Sequence, residues 1–185
     1  MGPPGAGKGT QAKVVAAHFG VPAVSTGDIF RANVAGRTAL GQEAQRYMAA
    51  GEYVPDEVTN AMVRDRLGLP DAAPGFLLDG YPRTLAQVDE LDDMLTDLDV
   101  KLDAVVALTV DQEELVTRLL QRAHLEGRVD DTEDVVRRRQ EVYVEQTHPL
   151  ITVYRDRGLL VEIDGMGEID VVTHRVFDEL ERIAG

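Results

Sequence analysis

The fold of this chain is decided close to its start, by the sequence Gly2-Pro3-Pro4-Gly5-Ala6-Gly7-Lys8-Gly9-Thr10. It contains the G-x-x-x-x-G-K pattern of a phosphate-binding loop, in which glycines let the backbone curl so that successive amide N–H groups face phosphate oxygens. A helical pattern follows and adds the positive end of a helix dipole. We therefore predict phosphate binding here, with Lys8 reaching the β- and γ-phosphates of a nucleotide. A glycine-rich turn without function is the alternative.

The rest of the chain alternates helical patterns with short apolar strands, which is typical of an α/β fold with a mainly parallel sheet. The predicted strands are 21–25, 76–79, 103–110 and 159–164. The predicted helices are 8–19, 27–35, 40–50, 56–67, 84–98, 112–123, 131–157 and 169–183, with a kink at His148-Pro149. A length of 185 residues suits a single domain, 1–185, with small inserted lobes.

Composition excludes several classes of protein. Apolar residues make up 44% and charged residues 28%, as in globular proteins, and no apolar run approaches the ~18 residues of a membrane span. Cysteine is absent, which excludes disulfides, a thiolate nucleophile and a Cys-ligated zinc site. The net charge of −14 repels nucleic acids and anionic membranes. We expect a cytoplasmic enzyme that has neither as a partner.

Any phosphate compound must therefore be bound by a local cluster of positive charge. Sixteen of the 19 basic residues are arginine, whose planar guanidinium suits bidentate phosphate contacts. A genome that favours arginine codons would explain the same bias.

Four motifs follow one another in the chain: GPPGAGKGTQA at 2–12, STGDIFR at 25–31, DGYPRT at 79–84 and GRVDDT at 127–132. Together they resemble the adenylate kinase family over nearly the whole chain. The resemblance implies a P-loop nucleoside monophosphate kinase fold and reversible phosphoryl transfer from Mg-ATP to AMP, giving two ADP. It also implies a monomer. The short stretch between Arg122 and Arg128 resembles the family's short lid, so we expect no structural zinc.

The resemblance implies an ATP site with Mg²⁺ beside it. Arg118 would stack on the ATP base, Arg122 would contact its phosphates, and the backbone of Gly167 would contact the base. Arg118 and Arg122 share one helix face, for which a solvated charged face is the alternative. The implied ATP-binding residues are Gly5, Ala6, Gly7, Lys8, Gly9, Thr10, Arg118, Arg122 and Gly167.

The magnesium site departs from the usual pattern in one respect. Gly9 follows Lys8, so the hydroxyl usually offered to Mg²⁺ comes one place later, at Thr10. Mg²⁺ would be held by ATP and water near Thr10 and Asp79, without direct protein ligands. Capping of the loop is the alternative role of Asp79.

The resemblance implies an AMP site in which Gln87 reads the adenine and Arg83 the phosphate. The implied AMP-binding residues are Thr26, Arg31, Glu52, Tyr53, Val54, Gly80, Tyr81, Pro82, Arg83, Gln87, Arg128 and Arg139. Helical geometry selects Arg139 from the run Arg137, Arg138 and Arg139, because it alone falls on an apolar stripe, where a charge is unusual unless it is paired. We expect Arg137 and Arg138 to face solvent.

Phosphoryl transfer requires in-line positioning, neutralisation of charge and exclusion of water. The residues that we expect to supply these effects are Lys8, Arg83, Arg122, Arg128 and Arg139. Two segments should close over the nucleotides, an AMP-binding lobe at about 25–54 and a lid at about 122–132 with Gly127 as hinge. Adenylate kinases are a standard example of such lid closure.

The start of the chain departs from the family pattern. The family's phosphate loop follows a buried strand in the centre of the sheet, whereas only Met1 precedes Gly2. Neighbouring strands would be left with unpaired backbone groups that cost ~1–3 kcal/mol each when buried, against a total stability of ~5–15 kcal/mol. We expect the natural start to lie upstream of Met1. A natural but weakened or inactive variant is the alternative.

Other functions remain open at this point. A kinase for UMP/CMP or GMP is the nearest rival, although Thr26 and Gln87 favour adenine. A non-catalytic nucleotide-binding remnant is the second alternative. A P-loop GTPase is disfavoured because the chain has no Asn-Lys-x-Asp motif.

Overall fold

The computed structural model describes residues 1–111, 114–115, 118–119 and 132–184. The helices are α1 (Lys8–Phe19), α2 (Thr26–Ala35), α3 (Ala39–Ala50), α4 (Asp56–Leu67), α5 (Leu85–Asp97), α6 (Glu133–Val142), α7 (Leu150–Asp156) and α8 (Ile169–Ala184). The strands are β1 (Ala23–Ser25), β2 (Leu77–Asp79), β3 (Val105–Thr109) and β4 (Leu160–Asp164). The α/β prediction is confirmed. The helix predicted from residue 112 lies largely outside the described residues.

The described strands form two parallel pairs. β1 pairs with β2, with Val24 opposite Leu78, and β3 pairs with β4, with Ala107 opposite Glu162. No strand precedes the phosphate loop in the described part of the chain. Met1 instead lies beside β3, where its N-terminal nitrogen donates to the Val106 carbonyl and its own carbonyl accepts from Leu108 N at 2.9 Å. This contact anchors the start of the phosphate loop to β3.

Several helices begin at hydroxyl side chains that cap free backbone N–H groups. Ser25, Thr38 and Thr84 precede α2, α3 and α5, and each accepts a hydrogen bond from the N–H group three residues on. Glycine in the left-handed conformation ends α1 at Gly20 and α3 at Gly51. These local signals explain why the boundaries predicted for α1 to α5 agree with the structure to within about two residues.

Apolar side chains pack into a core that joins the two strand pairs. One cluster unites Val15 of α1, Leu108 of β3 and Val176 of α8, and Leu77 of β2 packs against it. A separate small cluster, formed by Phe30, Ala44 and Val54, lies between α2, α3 and the segment before α4. The segment of residues 26–54 thus has an apolar core of its own.

The predicted helix 131–157 is not continuous. α6 is followed by a π-helical turn at Tyr143–Thr147, and α7 begins only after Pro149. Pro149 has no N–H group to continue an α-helical hydrogen-bond pattern, and His148 N instead bonds to the carbonyl of Tyr143, five residues back, at 2.8 Å. The kink expected at His148-Pro149 therefore begins about one turn earlier. It leaves Thr147 buried and turned towards the site described below.

In the part of the chain that the structure describes, no helix is both long enough and apolar enough to traverse a lipid bilayer.

Candidate active site

The phosphate loop has the curled backbone that its sequence predicts. Gly2, Gly5 and Gly7 have φ angles of 135°, 90° and 87°, in the region that only glycine adopts readily. Space also requires glycine at two of these positions. A Cβ atom at Gly5 would lie 2.9 Å from Cγ of Leu119, and one at Gly2 would lie 2.7 Å from the carbonyl oxygen of Leu108. Ala6, which lies within the loop, is buried.

Lys8, the first residue of α1, folds back over this loop. Its Nζ atom donates to the carbonyls of Gly2 at 2.7 Å and Pro3 at 2.8 Å. The ammonium group therefore lies within the curl of the loop, and it must leave these carbonyls to reach phosphate oxygens further out.

The end of β2 lies against the start of α1. A Cβ atom at Gly9 would be 3.5 Å from the Oδ2 atom of Asp79, an ordinary van der Waals distance, so the carboxylate lies close to the start of α1. Thr10 is exposed in the same helical turn. The sequence prediction that Thr10 and Asp79 belong to one site fits this arrangement.

Two residues predicted to contact the ATP base, Arg118 and Gly167, are among the described residues. Nη1 of Arg118 donates to the carbonyl of Gly165 at 3.1 Å, and Nε donates to Glu114 at 2.8 Å. Arg118 thus lies beside the loop that follows β4 and leads to Gly167, whose φ angle is 106°. The structure brings these two predicted residues to the same loop.

Arg175 of α8, which the sequence analysis did not select, holds this loop in shape. Its Nη1 atom donates to the carbonyls of Asp164 and Met166, both at 2.7 Å. Only its position six residues after Ile169, on the helix that follows the loop, could have suggested this role.

On the other side of the phosphate loop, three predicted AMP-binding residues meet at one carbonyl. The carbonyl of Gly80 accepts from Oγ1 of Thr26 at 2.9 Å and from Nε of Arg83 at 2.8 Å. A side chain at Gly80 would clash with both, because a Cβ atom there would lie 2.8 Å and 2.7 Å from these two residues. Arg31 lies in the middle of α2, with its guanidinium over Gly27 and paired with Asp28 at 2.5 Å.

Arg83 is held from a second direction by Tyr53 and Thr147. The Arg83 guanidinium carbon lies 4.9 Å from the centre of the Tyr53 ring, within range of a cation–π interaction. The Tyr53 hydroxyl is 2.7 Å from Oγ1 of Thr147, which donates to the carbonyl of Arg83 at 2.8 Å. Tyr53 therefore contacts the arginine of the predicted AMP site. Thr147 was missed because its relation to Arg83 depends on the π-helical turn.

Gln87 is buried, with 1% of its surface exposed, and its amide is bonded on both sides. Oε1 accepts from the backbone N–H of Arg83 at 2.7 Å, and Nε2 donates to Oδ1 of Asp56 at 2.6 Å. The second carboxylate oxygen of Asp56 accepts from Oγ1 of Thr84 at 2.8 Å. Asp56 was also missed, since nothing in its local sequence distinguishes it from an acidic residue in the first turn of a helix.

The other predicted AMP-binding residues have varied surroundings. Val54 is buried in the small cluster with Phe30. Tyr81 is buried, and its hydroxyl donates to Oδ1 of Asn60 at 2.8 Å; burial raises the pKa of Tyr81. The side chain of Tyr81 thus bonds to α4, and Pro82, the next residue, is half-buried.

The consecutive arginines of α6 have different partners in the structure. Arg137 is exposed and pairs with Glu133, as expected. Arg138 also faces solvent in part, with 38% of its side chain exposed, and its guanidinium bridges Glu52 at 2.6 Å and Glu141 at 3.0 Å, two ion pairs that the sequence analysis did not identify. The hydrogen bonds that it donates to these two carboxylates raise the pKa of Arg138.

Glu52 was itself predicted to contact AMP, which stays a prediction, and in the structure its carboxylate connects the end of the 25–54 segment to α6. Arg139 lies on the same side of α6 and donates to the carbonyl of Met48 at 3.4 Å. Gln140, the next residue, donates to the carbonyl of Pro4 at 2.9 Å. α6 therefore touches both the phosphate loop and the predicted AMP-binding segment.

Comparison with known proteins agrees with this geometry. A family model described as adenylate kinase matches residues 1–159. A protein of Nocardioides sp. named adenylate kinase is 68% identical over 183 residues, which cover 99% of this chain and 96% of that protein. The chain belongs to the adenylate kinase family. Adenylate kinases of Kocuria rhizophila and Thermobifida fusca are 62% and 58% identical over 98% of this chain, and the matches cover 97% and 96% of those proteins.

Membership of the adenylate kinase family makes the chain a phosphotransferase with a P-loop nucleoside monophosphate kinase fold. Several residues that the family resemblance selected fall outside the described residues: Arg122, Gly127 and Arg128. The lid predicted at about 122–132 lies almost entirely in the same segment. The roles predicted for these residues stay predictions.

Proposed function

We propose that this chain transfers the terminal phosphoryl group of Mg-ATP to AMP, reversibly, giving two ADP. The observation that carries the proposal lies at two consecutive residues, the last of β2 and the one that follows it. Asp79 lies beside Gly9 at the start of α1, directly after the phosphate loop, while the carbonyl of Gly80 accepts from Thr26 and Arg83. A donor bound in the loop and an acceptor bound at Arg83 would therefore meet at the carboxyl end of one strand, where open parallel sheets bind their ligands.

The chemistry depends on positioning and charge, because phosphoryl transfer requires little covalent participation by the protein. The loop amides and Lys8 bind the phosphates of ATP and neutralise the charge on the transferred group. Arg83 binds the AMP phosphate, with its guanidinium oriented by Gly80 and Tyr53. We assign Arg31, Arg122, Arg128 and Arg139 to the same cluster of charge.

The residues beside the phosphate loop fit Mg²⁺. The carboxylate of Asp79 and the hydroxyl of Thr10 are the hard oxygen groups that this ion prefers, either directly or through water. The described residues contain no cluster of three or more acidic, histidine or cysteine side chains able to hold a metal ion. An ion carried largely by nucleotide phosphates and water would, when bound, neutralise phosphate charge.

The segment of about 25–54 is assigned as an AMP-binding lobe, and about 122–132 as the lid. The apolar cluster of Phe30, Ala44 and Val54 supports the lobe as a unit that packs on itself. Its connections to the remainder of the chain include the Glu52–Arg138 ion pair and the Tyr53–Thr147 hydrogen bond. A monomeric state and a cytoplasmic location stay predictions.

A coupled assay of ADP release tests the proposal, with Mg-ATP and each of AMP, GMP, CMP and UMP in turn. We expect turnover with AMP to exceed that with the other three monophosphates. A preference for UMP or CMP would support the rival kinase. Binding of nucleotides in calorimetry without any ADP release would instead identify a non-catalytic remnant.

A further inference from the structure

The side-chain amide of Gln87 is fixed in one of its two possible orientations. A carboxylate can only accept hydrogen bonds, and a backbone N–H group can only donate. Asp56 must therefore face the NH₂ group of Gln87, and the N–H of Arg83 must face its oxygen. Rotating the amide by 180° would place Oε1 against the carboxylate of Asp56, acceptor against acceptor. It would also place Nε2 against the N–H of Arg83, donor against donor. The chemistry of the partners therefore decides the orientation.

Asp56 is itself held in place. Its Oδ2 atom accepts from Oγ1 of Thr84, the residue that caps α5 and precedes Gln87 by three positions. The carboxylate thus spans from α4 to the start of α5, and its two oxygens bind two residues of the same helical turn. This double contact leaves the carboxylate little freedom to rotate away from Gln87.

The two contacts leave one hydrogen on Nε2 and one lone pair on Oε1 available. The remaining N–H donor and the remaining lone pair lie side by side, and their relative positions are fixed because the amide cannot turn over. The Watson–Crick edge of adenine offers N6–H as donor and N1 as acceptor, which complements this order. A 6-oxopurine offers the reverse pattern, an acceptor at O6 and a donor at N1.

We propose that Asp56 is a positioning residue for base selection, which keeps the Gln87 amide in the orientation that accepts a 6-aminopurine monophosphate and rejects a 6-oxopurine. The proposal rests on the proposed function, in which Gln87 reads the base of AMP. Because the amide oxygen of Gln87 also binds the backbone of Arg83, the base-reading amide and the phosphate-binding arginine are joined by one hydrogen bond.

The test measures kcat/KM for AMP and for inosine monophosphate, its 6-oxo analogue, in the full chain with saturating Mg-ATP. The variants are Asp56→Ala, Asp56→Asn and, as a matched control, Glu57→Ala. Glu57 is exposed in the same helical turn, so its removal takes the same charge from the start of α4. Thermal unfolding of each variant accompanies the kinetics.

We expect Asp56→Ala to lower the AMP-to-IMP ratio of kcat/KM by roughly ten-fold to a hundred-fold, the effect of losing a hydrogen bond to a charged group. Asp56→Asn keeps an oxygen that accepts from Gln87 and should lose only part of the selectivity, about three-fold to ten-fold. KM for Mg-ATP should stay unchanged in both. Glu57→Ala should retain the wild-type ratio.

A purely structural role for Asp56 would lower activity with both monophosphates together and leave the ratio unchanged. An AMP-to-IMP ratio in both Asp56 variants equal to that of Glu57→Ala therefore overturns the inference, whatever their stability. If the wild-type chain does not prefer AMP at all, the base assignment of the proposed function fails as well. Failure of the inference is therefore seen in the Asp56 variants, whereas failure of the base assignment is seen in the wild-type chain.

Discussion

The phosphate loop and the AMP side of the site, meaning Thr26, Tyr53, Gly80, Arg83 and Gln87, are held in shape by different contacts. The loop takes its form from glycine φ angles and from hydrogen bonds within residues 2–11. The AMP side is held by side chains far apart in sequence, such as Thr26 with Gly80, 54 residues away, and Tyr53 with Thr147, 94 residues away. We therefore expect changes in the loop to act on turnover, and changes on the AMP side to act first on the KM for AMP.

The largest effect is expected in the loop, at Lys8. Lys8→Ala removes a positive charge from the phosphates in the transition state, and we expect kcat to fall by about 10²–10³-fold. The KM for AMP should change much less, because the hydrogen bonds of Lys8 to Gly2 and Pro3 place it in the phosphate loop. Steady-state kinetics with both substrates varied will separate the two constants.

Lys13→Ala is the matched control, since Lys13 is an exposed lysine on the same helix. Full kcat in Lys8→Ala would contradict the phosphate-binding role of this lysine. An equal fall of kcat in both variants would attribute the loss to α1 as a whole.

A smaller effect is expected on the AMP side, at Tyr53. Tyr53→Leu removes both the ring that stacks on Arg83 and the hydroxyl that contacts Thr147, and we expect the KM for AMP to rise by about three-fold to thirty-fold. Tyr53→Phe keeps the ring and should raise this KM by less than about ten-fold. The KM for Mg-ATP serves as the internal reference.

The decisive comparison is between the KM for AMP of Tyr53→Phe and that of Tyr53→Leu. If Tyr53→Phe is as impaired as Tyr53→Leu, the hydroxyl rather than the ring positions Arg83. If the KM for AMP and the KM for Mg-ATP rise together, Tyr53 affects both nucleotide sites, and the contrast between the phosphate loop and the AMP side fails.

The smallest effect is expected at the ion pair between Glu52 and Arg138. Both side chains are more than a third exposed, so water screens the pair, and Glu52→Gln should lower Tm only slightly. The difference should disappear at high salt. Glu133→Gln, which removes the more exposed pair with Arg137, is the control and should leave Tm unchanged. A salt-independent loss in Glu52→Gln would show that Glu52 contributes through packing instead.

Local signals explain what could be predicted. The glycines and Lys8 define the phosphate loop because its conformation depends on residues within one turn of each other. The alternation of helical and strand patterns gave the α/β class in the same way. The position of Arg139 on the buried side of α6 followed from helical periodicity. The ion pair of Arg138 was missed because its partner Glu52 lies 86 residues away.

The sequence by itself determined the phosphate loop, the α/β class, the family and which residue types stand ready to bind nucleotides, because these depend on short stretches of chain and their order. Only the tertiary structure decided what holds these residues in place. Asp56 orients Gln87, and Tyr53 with Thr147 orients Arg83, through contacts between elements that are distant in sequence. Such contacts form when helices and strands pack, and local sequence carries no record of which side chains then meet.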